Sequence, residues 1–267
     1  MKKKLIILSI FITILYLFNI TYISNSGINV RFENIQIDDD ITTNTSLVFF
    51  SDILFENKDN DKYLVESINK LNKLHPDIIL FGGNLFNKSI DNYDEETIKY
   101  ITDSLKDINA DKGKFAILGN IDSTNQDNRD KIINILVNAN FQVLQNESIL
   151  LNNNEFKFNL VGLNDCITSD IKEVNNINND LYTIVASNTP NSVEYYNNNY
   201  NYFISGNTLG GEIRVPLIGS INSYDHKYIY GKYYINDSIL DITNGIGNIN
   251  YDYRLFANRE IVHYTIS

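Results

Sequence analysis

From about Ser46 onward, short apolar runs alternate with segments whose apolar residues recur at helical spacing, and this alternation restricts the chain to an α/β architecture. Residues 46–51 (SLVFFS) read as a buried strand. Leu64, Val65, Ile68, Leu71 and Leu74 then share one face of a helix that Asp61 is placed to cap. His75-Pro76 ends it, because proline disfavours helical backbone in the residue before it. Strands at 77–81 and 114–118, an amphipathic helix through Ile98, Ile101, Leu105 and Ile108, and a helix at 130–138 complete a β-α-β-α-β-α order. Strands dominate the remainder, at 156–162, 182–186, 202–205, 228–235, 239–243 and 260–266, and suggest a second sheet. Asn-rich pieces at 152–154, 175–179 and 197–201 fall between these elements, where side chains that bond their own backbone favour turns.

The N-terminus has a different character. Lys2, Lys3 and Lys4 precede an apolar stretch from Leu5 to about Ile23, interrupted only by Ser9, Thr13, Asn19 and Thr21. At about 1.5 Å per residue such a stretch nearly spans a bilayer core. No small-residue cleavage site, following cysteine or twin-arginine pair accompanies it, so an uncleaved anchor is expected. The lysines would stay cytoplasmic, with the rest of the chain extracytoplasmic on a single-pass cell-membrane protein. A buried core helix is the alternative, and it requires a polar face. The expected organisation is an anchor or transmembrane helix at 1–25, a linker at 26–45 and one folded domain at 46–267.

Composition narrows the function. Lys and Arg total 22 against 33 Asp and Glu, a net charge of −11, which argues against nucleic acid as a partner. Cys166 is the lone cysteine, so no internal disulfide, structural zinc cluster or iron–sulfur cluster is expected. There are only 3 His beside roughly 40 Asn, and that contrast matters below.

Four stretches sit where strands of an α/β fold end and where such folds place their sites: Ser51-Asp52-Ile53-Leu54, Gly82-Gly83-Asn84, Gly119-Asn120-Ile121-Asp122 and Gly206-Asn207-Thr208-Leu209-Gly210-Gly211-Glu212. In this order they resemble the fingerprint of the calcineurin-like metallophosphoesterases, which runs D-x-H, G-D, G-N-H-D, a lone His, then G-H-x-H. The likeness extends to His75-Pro76-Asp77-Ile78-Ile79-Leu80, similar to the family's K-P-D strand, and to Lys112-Gly113-Lys114-Phe115-Ala116-Ile117-Leu118, similar to its K-G-x-x-A-V-L strand. Asn207 to Gly219 (NTLGGEIRVPLIG) resembles the H-T-H-G-G-Q-x-R-x-P-x-x-G run of a bacterial membrane-anchored phosphodiesterase subgroup, and Arg254 to Ser267 resembles that subgroup's last strand.

The resemblance implies a four-layer α/β/β/α sandwich of two mixed sheets flanked by helices, with two divalent metal ions (Mn, Fe or Zn) that activate a shared water for attack on a phosphoric ester. Position by position, Asp52 retains the first carboxylate and Asn120 the amide ligand. The following His of the first motif is Leu54, the bridging Asp is Asn84, and the catalytic His is Ile121 with Asp122 kept behind it. The lone His falls at Asn188, and the last two at Asn207 and Leu209. One carboxylate among neutral amides does not offset the dehydration of two dications, so no cofactor is expected.

Other catalytic sets are sparse. His75, His226 and His263 lie outside the motif loops, and Cys166 has no His beside it in sequence. Asp122 and Glu212 would form a carboxylate pair only if the fold joined them. Tyr195, Tyr196, Tyr200 and Tyr202 form either a contact surface or core filler. Two functions compete. One is a membrane-anchored pseudoenzyme that binds an unidentified protein or ligand; the other is a phosphodiesterase or phosphomonoesterase with an altered site.

Overall fold

The computed structural model describes residues 2–24, 27–38, 42–58, 61–153, 155–221, 227–249 and 253–267. The first half runs α1 (Lys2–Phe18), a π-helical turn (Asn19–Ile23), β1 (Asn29–Ile35), β2 (Thr45–Phe50), α2 (Lys62–Lys73), β3 (Ile78–Phe81), α3 (Glu95–Lys106), β4 (Gly113–Ala116), α4 (Gln126–Asn138) and β5 (Gln142–Val143). Strands follow: β6 (Glu147–Asn153), β7 (Phe156–Gly162), β8 (Tyr182–Ser187), β9 (Tyr202–Ser205), β10 (Arg214–Val215), β11 (Gly219–Ser220), β12 (Gly231–Ile235), β13 (Ser238–Ile242) and β14 (Glu260–Ile266).

Local chemistry sets the helix ends. The Asp94 carboxylate accepts from the Thr97 amide at 2.7 Å and the Asn125 side chain from the Asn128 amide at 2.9 Å, each relieving an orphan donor of the first turn. Asp61 does occupy the N-cap position of α2, but it makes no side-chain cap; its carboxylate accepts the Tyr100 hydroxyl instead. At the other end of α3, the Lys114 ammonium donates to the carbonyls of Leu105, Lys106 and Ile108 at 3.1, 3.3 and 3.0 Å. A strand residue thus closes the helix that precedes it.

The strands form two six-stranded mixed sheets, ordered β1-β14-β2-β3-β4-β5 and β12-β13-β9-β8-β7-β6, with β10 and β11 as a separate hairpin. Two expectations change here, and some strands were not expected at all. Residues 29–35, expected within a linker, are an edge strand parallel to β14. The last strand joins the first sheet, antiparallel to β2, and not the second. The hairpin and β6 were not visible as elements in the sequence pattern.

Alternation along β2 builds two cores at once. Val48 and Phe50 face α2, α3 and α4 through Leu64, Leu71, Ile101 and Leu136. Leu47 and Phe49 face the second sheet through Phe158, Leu160, Ile184 and Ile204. The far face of the second sheet buries Val161, Val185, Phe203 and Leu240 beneath Val174, Val193 and Tyr196. Among the described residues no α-helix covers that face, so the fourth layer of the expected sandwich consists here of loops and a 3₁₀ turn at Pro190–Glu194. Tyr196 and Tyr202 are core residues of this half, whereas Tyr195 is exposed.

Among the described residues no helix is long and apolar enough to cross a membrane. Helix α1 has 17 residues and stops where the π-helical turn begins. At about 1.5 Å per residue that falls short of a bilayer core of about 30 Å, so the expected transmembrane helix at 1–25 is not supported by α1 alone.

Candidate functional site

Strands β2, β3 and β4 are mutually parallel, as are β8, β9 and β13, so their carboxyl-terminal loops emerge on common edges. The motif positions collect there. The loop after β2 continues alongside the loop after β3: the Asp52 amide donates to the Gly83 carbonyl at 2.9 Å and the Leu54 amide to the Asn84 carbonyl at 3.1 Å. Two glycines permit the approach of the loops. A Cβ on Gly119 would lie 2.1 Å from Asn84 Oδ1, and one on Gly206 would lie 2.2 Å from Ser51 Oγ.

At the centre of these loops is one nitrogen. Asn84 Nδ2 stands 2.9 Å from Asp52 Oδ1, 3.1 Å from Asn120 Oδ1, 3.2 Å from Asn188 Oδ1 and 3.2 Å from Asn207 Oδ1. An amide carries only two hydrogens, so four acceptors outnumber its donors. A shell of converging oxygens is the environment a cation selects, yet here a neutral carboxamide fills it. Asn84 Oδ1 is engaged as well, accepting from the Ile121 amide at 3.0 Å.

The periphery is equally satisfied. Asn188 Nδ2 donates to the Gly82 carbonyl at 2.6 Å, and Asn207 Nδ2 donates to Thr189 Oγ1 at 2.9 Å. Asp52 also accepts from the Asn207 amide at 2.8 Å and from the Ser51 hydroxyl. Among the described residues every hydrogen-bond donor to Asp52 is neutral. Burial therefore dominates and raises its pKa, against the downward pull of Ser51, Asn207, Asn84 and Asn188.

Asp122 plays a different part. Its carboxylate accepts the backbone amides of Asn84, Gly119 and Leu85 at 2.6, 2.9 and 3.0 Å, which stitches the second motif loop to the third. Burial pushes it up to about 6 despite those three bonds. Glu212 holds the Ile249 amide at 3.0 Å. Neither carboxylate lines the small cavity of about 180 Å³ at this edge, so the structure assigns them to loop support and not to the acid–base pair the sequence left open. That cavity is bounded by Asp52, Asn84, Asn120 and Asn207 on one side and by Leu54, Ile121, Ile167 and Ile249 on the other.

Backbone conformation marks the same positions. Asp52, Leu54, Asn84, Asn207 and Leu209 all have φ between 48° and 67°. Asn tolerates this left-handed region, but each Leu held there costs roughly 1–2 kcal/mol. Leu54 and Leu209 are buried, at 5% and 1% exposure, so packing compensates the strain.

Some contributors were not visible in the sequence. Arg254 is fully buried and donates to the carbonyls of Asn244, Gly247 and Ala257 and to Asn248 Oδ1, which fixes the loop after β13 against Asp52 and Ile53. Burial, then the like charge of Arg259, lowers its pKa to about 9. Only its place in the Arg254 to Ser267 resemblance singled it out. Of the remaining candidates, His75 lies exposed after α2 and His263 lies half-buried in β14 against Phe32. Cys166 sits beside Ser192, its thiol raised by burial. His226 lies outside the described residues. Among the described residues no group of three or more His, Cys, Asp or Glu side chains is placed to hold a metal ion.

Comparison with known proteins gives the chemistry a direction. The chain is 27% identical to the phosphodiesterase YaeI of Escherichia coli (strain K12) over 192 residues, 70% of this chain and 68% of that protein. It is 24% identical to the uncharacterized metallophosphoesterase YkuE of Bacillus subtilis (strain 168) over 217 residues, 73% and 70% of the two chains. It is also 25% identical to the uncharacterized metallophosphoesterase Cj0846 of Campylobacter jejuni, covering 98% of this chain and 68% of that one. The curated relatives are phosphoesterases. No protein-family model matches the chain. A solved structure of a putative 5'-nucleotidase from Staphylococcus aureus superposes with a TM-score of 0.48 at 10% identity, over 82% of this chain and 54% of that one.

Proposed function

We propose that this chain is a metallophosphoesterase-fold protein that has exchanged its two-metal centre for a hydrogen-bonded amide cluster and acts, associated with a membrane, as a binding or scaffolding domain. The observation that carries the reading is the Asn84 carboxamide, whose nitrogen occupies the centre of four oxygens contributed by four separate loops. A divalent pair there would need several anionic or imidazole donors. The cluster supplies the single carboxylate of Asp52, while Leu54 and Ile121 present hydrocarbon to the cavity. Two adjacent dications would be left with almost no compensating charge. The residues present do not fit a two-metal centre, and the hydrolytic step that depends on one has no support from the side chains of this site.

Membrane association rests on α1, where Leu5, Ile7, Ile10, Phe11 and Leu15 are 49–67% exposed behind the three lysines. With the π-helical turn that continues it, this apolar segment suits a single anchor whose folded domain lies on the extracytoplasmic side.

A second reading, an active phosphodiesterase or phosphomonoesterase with an altered site, is favoured by the named activity of YaeI. Metal analysis of the detergent-solubilised full chain after equilibration with Mn²⁺ separates the two. The amide cluster predicts substoichiometric metal and no turnover of an aryl phosphodiester, and stoichiometric metal with turnover would establish the hydrolase instead. The combined variant Leu54→His, Asn84→Asp, Ile121→His, Asn188→His, Asn207→His and Leu209→His is expected to regain metal, because Asn84, Asn188 and Asn207 already meet at one centre and Leu54 and Ile121 line the cavity beside it.

A further inference from the structure

The β10–β11 hairpin ends in Pro216, Leu217 and Ile218, and its tip is as apolar as it is exposed: Leu217 and Ile218 are 108% and 79% accessible, with Ile221 at 61% just beyond. Tight turns ordinarily carry Gly, Asn, Asp or Ser, whose side chains suit water. Two aliphatic side chains standing free at a turn are out of place in an aqueous setting.

The surroundings say which other setting applies. Arg214, at the hairpin root, donates from Nε to the Phe256 carbonyl at 2.7 Å and stacks its guanidinium 3.8 Å from the Tyr230 ring centroid. Phe256 in turn meets Tyr16 of α1 edge-to-face at 5.8 Å, and its amide donates to Asn19 Oδ1 at 3.1 Å in the π-helical turn. The Arg259 guanidinium donates to the Ser24 carbonyl at 3.3 Å from the same side. The hairpin root and the carboxyl end of the apolar helix therefore share one residue, Phe256. A concavity bounded by Arg214, Leu217, Ile218, Tyr230 and Phe256 joins them. If α1 lies in lipid, its docked end marks the level of the membrane surface, and the hairpin tip is at that level beside it.

We propose that the Pro216-Leu217-Ile218 tip inserts into the lipid surface from which α1 emerges, forming a second contact that orients the folded domain. This rests on the membrane reading of α1 given above. The contact is apolar in kind. Arg214 is the one cation between Arg214 and Ile221, it is already bonded within the protein, and the chain carries a net charge of −11, so attraction to anionic headgroups is not its basis. A tip of two aliphatic side chains is also far smaller than the patch a stable protein partner requires.

The chain contains no tryptophan, so a single introduced one reports alone. Full-length Leu217→Trp, Ile218→Trp, Leu15→Trp and Leu150→Trp are reconstituted with neutral phosphatidylcholine vesicles, with and without acyl-chain-brominated lipid. Leu150 is exposed on β6, at the opposite edge of the second sheet from β12, and serves as the aqueous reference. Both tip variants should show blue-shifted emission and a several-fold fluorescence drop with brominated lipid, unchanged by high salt, while Leu150→Trp shows neither. Quenching at Leu15 without quenching at 217 and 218 overturns the proposal and leaves the helix reading intact. Quenching at 217 and 218 without quenching at Leu15 supports the hairpin and overturns the helix reading. Absence of quenching at all three positions overturns both. A blue shift at the tip without bromine quenching would place a second copy of the chain over it, and loss of quenching in salt would mean a charge contact; either result overturns insertion.

Discussion

Asp52 and Asp241 are both withdrawn from solvent, at 1% and 0% exposure, and both accept from several donors, but the donors differ in kind. Asp241, in β13, is met by the Arg31 guanidinium at 3.0 Å and by the hydroxyls of Tyr202 and Tyr264 at 3.2 and 2.9 Å. Asp52 is met by amides and one serine hydroxyl. Asp241 thus has a bonded cation beside it, whereas Asp52 is buried among neutral dipoles that return little of its desolvation. Each set of donors fits a separate role. The Asp241 cluster binds β1 to the second sheet across the molecule, because Arg31 comes from β1 and also contacts Glu33 and Glu260. The Asp52 cluster holds loops that converge on the neutral Asn84 carboxamide.

Substitutions put this contrast to the test, and the largest effect belongs to Asp241. Asp241→Leu leaves Arg31 and two tyrosine hydroxyls without their shared acceptor and should cost about 3–5 kcal/mol in urea unfolding. Asn84→Ala removes the hub of the amide cluster, strands the Ile121 amide and places alanine at φ 59°, for an expected loss of about 2–3 kcal/mol by the same measurement. The smallest change is Asp52→Asn, expected at about 1–2 kcal/mol, because the carboxamide oxygen keeps the two bonds made to one carboxylate oxygen while its NH2 meets two donors where the other oxygen accepted.

The last variant also has a pH signature. Since the folded pKa of Asp52 is raised, the native state holds a proton that the unfolded chain has released, and wild-type stability falls as pH rises from the usual carboxylate range to the raised value. Asp52→Asn should flatten that slope, leaving the part due to Asp122, which extends to about pH 6. Urea midpoints between pH 4 and 7 measure it. A loss from Asp52→Asn as large as that from Asp241→Leu, with the slope unchanged, would show that the two carboxylates support the fold alike and would overturn the contrast.

Much of the first half was legible because its strands are short apolar runs buried on both faces and its helices repeat apolar residues at helical spacing, whereas the caps at Asp94 and Asn125 went unread and α4 begins at Gln126, four residues before the expected start. The motif loops were legible too, since parallel strands deliver their carboxyl ends to one edge. What escaped is non-local. Strand β1 (NVRFENI) mixes charged and apolar residues as an edge strand does, and nothing near it in sequence names β14 as its neighbour. The convergence of Asn120, Asn188 and Asn207 on Asn84 is a fact of three dimensions; each Asn taken singly reads as a turn former. The loop layer over the second sheet was obscured by the same abundance of asparagine, which hides the scattered anchors Val174 and Val193.

The strand order of the first sheet carries a consequence for synthesis. Because β14 lies between β1 and β2, residues 260–266 must be synthesised before β1 can join that sheet. Until then β2 offers an open hydrogen-bonding edge and β1 has nothing to lie against, a condition that invites mispairing and calls for protection of the nascent chain. Loss of Glu260–Ile266 would accordingly detach β1 along with β14 and leave β2 as the open edge of the sheet.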